Sequence, residues 1–169
     1  MQKEIQESIS MLLEKQQSLL LSTLKEEKGI SQPYSSYAPY VYVCREQDHA
    51  FYVFLSDLSD HSQHLRNKPE ASILIIEDEV NSEQIFARVR VQYQVQSYLI
   101  DDMKERQQAI EMMKQRFGDI IDVLSSLSDF RIFKLVPNSG RYIEGFGRAF
   151  NIHEGLSSKI QPVMQEKKN

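Results

Sequence analysis

Two histidines three residues apart, His61 and His64, lie in the stretch SDHSQHLRNKPEASILIIEDE at residues 59–79. On a helix that spacing turns both imidazoles to one face, and imidazole is both a metal ligand and a proton carrier near neutral pH. A tetrahedral metal site needs a third donor. Asp57 and Asp60 are close in sequence, yet no metal-binding motif links them to the histidines. The other reading is a pair that sits at the surface or faces a ligand. Hydroxyls surround the pair at Ser56, Ser59 and Ser62. The start of a helix offers free backbone N–H groups and partial positive charge, so these residues together suit a phosphate or carboxylate. Arg88 and Arg90, on the strand that follows, would add full charge. Asp60 opposes an anion there, and the simpler reading makes Ser59 or Asp60 the helix cap.

Other stretches carry weaker signals. YSSYAPYV (34–41) is rich in rings and hydroxyls and suits a planar cofactor, a core strand or a dimer interface. Glu77, Asp78 and Glu79 would suit a divalent cation or a charged strand end. GFG at 145–147 permits close approach of a backbone or ring, or a bulge, but does not lead from strand into helix as a dinucleotide site requires. Cys44 is the single cysteine and has no basic neighbour in sequence, which leaves a catalytic thiol unsupported and an internal disulfide impossible.

The elements that must position these residues read as follows. QKEIQESISMLLEKQ has Ile5, Ile9, Leu12 and Leu13 at helical spacing. SLLLSTLKEEKGIS, QPYSSYAPYVYVCRE and HAFYVFLS read as three strands, with Gly29 in the first turn and Pro33 and Pro39 limiting pairing at an edge. A short helix then runs to about Lys68 and is ended by Pro69. ASILIIEDE reads as a strand buried on both faces, and QIFARVRVQYQVQSYLI as one long alternating strand with Arg88 and Arg90 outward. DDMKERQQAIEMMKQRFGDIIDVLSSLS reads as two helices broken at Gly118. DFRIFKLVP and GRYIEGFGRAFNI read as a hairpin turning at Asn138, Ser139 and Gly140, and the remainder as a loose tail. The expected organisation is an N-terminal helix over 1–16, a barrel domain over 17–153 and a tail over 154–169. Directly connected strands predict a mainly β (α+β) antiparallel barrel with peripheral helices.

The chain has 169 residues and a net charge of −4, which excludes a face built for nucleic-acid phosphates over most of the surface. Its N-terminus lacks a basic end followed by an apolar run, and its apolar runs fall well short of the ~20 residues of a membrane span. The expectation is a soluble, cytoplasmic protein with no nucleic-acid or membrane partner.

Taken together, YSSYAPYV, SDLSDHSQHLRNKPEASILIIEDE, QIFARVRV, RFGDIIDVLSSLSDFRIFKLVP and GRYIEGFGRAF resemble the pyridoxamine 5′-phosphate oxidase-like split-barrel proteins, and within them the HugZ-type haem-degrading branch. The resemblance runs from about Leu19 to Ile152. It implies a six-stranded antiparallel split barrel, a homodimer, and a cofactor cleft between subunits holding haem or FMN. Flavin-binding members carry an Arg-Lys pair that clamps the FMN phosphate; aligned through Pro69, this chain has Asp60 and His61 there. In the haem branch His61 matches a characteristic histidine, and Asp129 stands where an acidic residue supports the axial histidine of a C-terminal tail. Here no histidine follows His153. The implied cofactor residues are therefore Ser56, Ser59, His61, Ser62, Arg88, Arg90 and Asp129. The readings that follow are a haem-binding or haem-degrading protein, an FMN-dependent oxidoreductase, and a non-catalytic ligand-binding barrel.

Overall fold

The amphipathic start of the chain forms helix α1 (Gln2–Lys15), which buries Ile5, Ile9, Leu12 and Leu13 against the barrel interior. Strands β1 (Ser18–Glu27), β2 (Ile30–Arg45) and β3 (Asp48–Ser56) follow as a meander. Helix α2 (Asp60–Asn67) leads into β4 (Glu70–Ile76), and β5 (Arg90–Leu99) returns beside it. Helices α3 (Met103–Phe117) and α4 (Ile120–Ser126) precede β6 (Phe130–Ile143), β7 (Ala149–His153) and β8 (Lys159–Pro162). This computed structural model describes residues 2–45, 48–153 and 159–163.

The strands run in the order β3-β2-β1-β4-β5-β6-β7-β8, and β3 also pairs with β6. That last pairing closes the first six strands into a ring, with every neighbour antiparallel. The expected six-stranded split barrel is therefore present, and β7 and β8 extend the sheet beyond it. β2 serves two neighbours in turn. Residues 30–39 pair with β1, whereas 40–45 pair with β3. Pro33 and Pro39 both fall in the first half, where a missing N–H breaks no ladder on the β3 side.

Alternation fills the ring. Val91, Tyr93, Val95 and Ser97 of β5 point inward, while Gln92 and Gln94 stay exposed. Phe51 packs between Tyr40 and Tyr93, with ring centroids 5.5 and 5.6 Å away. A second apolar cluster lies outside the ring, where Ala109, Ile110, Met113 and Ile121 cover Val41, Ala50, Tyr52 and Ile132. Asp102 caps α3 by accepting from Glu105 N at 2.8 Å, and Gly118, at φ 78°, makes the break before α4. Arg116 ties the helices to the barrel. Its Nη2 donates to the carbonyls of Leu13 and Glu14, each at 3.2 Å, and of Gln16, and its guanidinium lies 5.0 Å from the Tyr40 ring centroid. A cation thus satisfies carbonyls that the end of α1 leaves without intrahelical partners.

The structure corrects four local expectations. The long strand before Leu99 begins at Arg90, because Ile85–Ala87 forms a 3-10 turn. Only Ala71, Ile73 and Ile75 of β4 are buried, so its second face is partly open. Asn138, Ser139 and Gly140 do not form a turn. They lie within β6, at a bulge where Gln94 faces Ser139 but Val95 faces Pro137. Gly140 is needed there for space, since a Cβ would meet Gln92 O and Tyr93 Cδ1, each at 2.6 Å. The true hairpin turn is the GFG stretch, where Gly147 has φ 71° and Glu144 N donates to Arg148 O at 3.1 Å. Within the expected tail, residues 159–162 pair with β7; residues 154–158 and 164–169 lie outside the described set. No helix among the described residues is long and apolar enough to cross a membrane.

Candidate functional site

Strand alternation on β2 prepares the surface on which α2 rests. Tyr34 and Ser36 share one face, and Thr23 stands opposite Tyr34 on β1. His61 and His64, sharing a helical face as the spacing required, both turn onto this floor. His61 Nδ1 lies 2.9 Å from Ser36 Oγ, and His64 Nδ1 lies 3.0 Å from Thr23 Oγ1. Ser36 also donates to Leu21 O at 3.3 Å. The Tyr34 ring meets His64 edge-on at 4.8 Å, and its hydroxyl donates to Asp60 Oδ2 at 3.1 Å. That bond to a carboxylate raises the Tyr34 pKa. Burial holds the half-buried His61 below the ordinary histidine pKa, helped by the charge of His64 and opposed by Asp60.

The turn before α2 is bound to the strand that opens at Phe130. Ser56 Oγ donates to Asp129 Oδ2 at 2.5 Å, and Asp57 N donates to Asp129 O at 2.7 Å. Asp57 in turn holds two cations, Arg66 Nη2 at 2.5 Å and Arg131 Nε at 3.3 Å. Ser59 occupies the N-cap position without making a capping side-chain bond. Its hydroxyl donates instead to Ser56 O at 2.6 Å, which overturns the expectation of a hydroxyl cap. Leu58 projects from the turn, 87% exposed.

The proposed ligand residues divide into two places. Ser56, Ser59, His61 and Asp129 gather around the turn and the first helical turn. Ser62 turns inward, fully buried, and its Oγ has no partner among the described residues. Arg88 and Arg90 stand elsewhere. Arg90 pairs with Ile76 at the far end of β4, whereas α2 joins β4 at Glu70. Seven residues of strand separate the two sites by roughly 20 Å at ~3.3 Å per residue. Arg88 bonds Glu79 Oε1 at 3.2 Å and the Glu77 carbonyl, and Arg90 Nη1 donates to Arg88 O at 2.8 Å. Within one chain they do not meet the serines. The Glu77–Glu79 acidic run therefore serves Arg88, and no cluster of three or more metal-binding side chains occurs among the described residues.

Sequence reasoning missed Thr23 and, as a specific partner, Ser36. Each lies 41 or 25 residues from its histidine, so only strand register reveals the pairing. The available signal was the alternation of Tyr34 and Ser36 within YSSYAPYV.

A family model described as pyridoxamine 5′-phosphate oxidase matches residues 3–144. The chain belongs to that family. It is 33% identical over 153 residues to Heme oxygenase HutZ of Vibrio cholerae, covering 90% of this chain and 83% of that protein. A crystal structure of V. cholerae HutZ, described as a haem storage protein, superposes with TM-score 0.67 at 30% identity, over 90% of this chain and 97% of that one. Campylobacter jejuni ChuZ superposes with TM-score 0.77 over 99% of this chain and 68% of its own, and at 24% identity it speaks for the fold alone.

Proposed function

We propose that this protein binds haem at the α2 site, in the manner of the HutZ-type members of its family. The observation that carries the reading is the 33% identity to Heme oxygenase HutZ along nearly the whole chain. The site's chemistry agrees with it. Haem iron is ordinarily held by a nitrogen, sulfur or oxygen donor from the protein, and His61 and His64 are placed together on α2. Leu58 offers exposed apolar surface on the same turn.

FMN fits these residues poorly. Its phosphate carries nearly two negative charges, and the start of α2 presents Asp57, Asp60 and Asp129. The nearby cations Arg66 and Arg131 are already committed to Asp57. The FMN-dependent reading rests on family membership without a cation at the expected clamp.

The cleft is best completed by a second copy of the chain. On the outer face of the ring, register places Tyr37, Leu20 and Leu74 in one row that continues into Gln92 and Arg141. Tyr37 and Leu20 are 64% and 49% exposed, an apolar strip suited to a homodimer interface. Only a partner subunit could bring Arg88 and Arg90 toward the Ser56–His61 turn, where they would meet haem propionates. Bound haem supplies redox-active iron, through which a reductant and dioxygen can open the porphyrin ring.

Haemin titration tests the reading. The expected result is a saturable Soret band distinct from that of free haemin, with a dimer in light scattering. Absence of that band overturns haem binding. Adding reductant under air then separates the possible roles: loss of the Soret band with iron release marks degradation, and persistence of the band marks storage.

A further inference from the structure

The hydrogen bonds beneath α2 fix which nitrogen of His61 is free. A serine hydroxyl has one proton to donate. Ser36 directs it to the Leu21 carbonyl, which can only accept. Its 2.9 Å contact with His61 Nδ1 is therefore one in which Nδ1–H donates to Ser36 Oγ. A neutral imidazole carries a single N–H, so the lone pair is left on Nε2. This is the arrangement seen in metal-binding histidines, where the second ring nitrogen donates to a fixed acceptor and sets the tautomer.

From this geometry we propose that His61 Nε2 is the protein ligand to the iron of bound haem. The inference rests on the haem-binding reading above and adds to it the identity of the donor. The other three histidines of the chain are less suited. His64 lies against Thr23, which is 1% exposed, and its ring meets Tyr34 edge-on. His49 pairs with Cys44 near the opposite end of β3, roughly 20 Å of strand from Ser56. His153 ends β7, paired with Ser139 and Lys159.

Two measurements test the proposal. In protein without haem, long-range proton–nitrogen NMR of labelled histidine should show His61 protonated at Nδ1. Ser36→Ala should reduce that preference and weaken haem binding about tenfold or more. A wild-type His61 protonated at Nε2 overturns the proposal without touching haem binding. In haem-loaded protein, H49A, H61A, H64A and H153A cover the four histidines of the sequence. H61A alone should lose the iron–histidine stretch in resonance Raman spectra of the ferrous form, and added imidazole should restore an axial nitrogen. Retention of that band in H61A with loss in another variant moves the ligand elsewhere and leaves the haem reading standing. No haem binding by wild type overturns both.

Discussion

Restoring cations at the start of α2 should convert a poor flavin site into a usable one. The double substitution Asp60→Arg with His61→Lys replaces one carboxylate by two cations at the positions where flavin-binding relatives carry Arg-Lys. Asp60 accepts from Tyr34 at 3.1 Å, an exposed bond that water can replace. Each charged hydrogen bond to phosphate contributes about 1.5–3 kcal/mol, and solvent screening at an exposed turn reduces the pair to roughly 2–4 kcal/mol. At ~1.4 kcal/mol per tenfold, FMN affinity should rise roughly 30- to 1,000-fold. Titration calorimetry with FMN measures it, and a ligand-dependent rise in melting temperature provides a second readout. Removal of His61 should abolish the axial-nitrogen spectrum of haem in the same protein. A folded double variant whose FMN affinity stays within threefold of wild type would refute the account of why flavin fits poorly.

Three further outcomes follow from the packing. Gly140→Ala forces a Cβ to 2.6 Å from Gln92 O and the Tyr93 ring, so overpacking should cost about 1–3 kcal/mol. Thermal melts should fall by roughly 2–12 °C, and an unchanged midpoint would contradict the close approach. Arg116→Ala removes a donor to three carbonyls, Leu13 O, Glu14 O and Gln16 O, and the contact with Tyr40. A loss of about 1.5–3 kcal/mol in urea denaturation is expected. Because His61 is held below its ordinary 6.5, the unfolded chain binds the extra proton first. Stability should therefore drop as pH falls below about 6.5 and level off beneath the folded-state pKa, with the dependence weakened in His61→Gln.

Periodicity made much of this fold legible in advance. Ile5, Ile9, Leu12 and Leu13 announced α1, and the alternation from Val91 to Ser97 announced β5, since burying one face imposes the period on the sequence. Asn138-Ser139-Gly140 misled because those residue types favour turns, whereas here the small side chains accommodate a bulge and the Tyr93 ring. Ile85–Ala87 misled because alternation extended by chance past the point where the ladder begins. At the site, helical spacing predicted the shared face of His61 and His64. Their hydroxyl partners, and the distance of Arg88 and Arg90 from the serines, depend on which strands become neighbours. Local sequence does not encode that order.

The closure of the ring by β6 has a consequence for how the chain reaches this state. Phe51 meets Leu135 and Ser56 meets Phe130, so the seam joins segments separated by three α-helices and two strands. During synthesis, β3 must wait with an unpaired edge until β6 emerges, a high-contact-order arrangement that folds slowly and exposes sticky strand to neighbouring chains. Truncation before Phe130 should therefore yield an aggregating product rather than a smaller stable barrel.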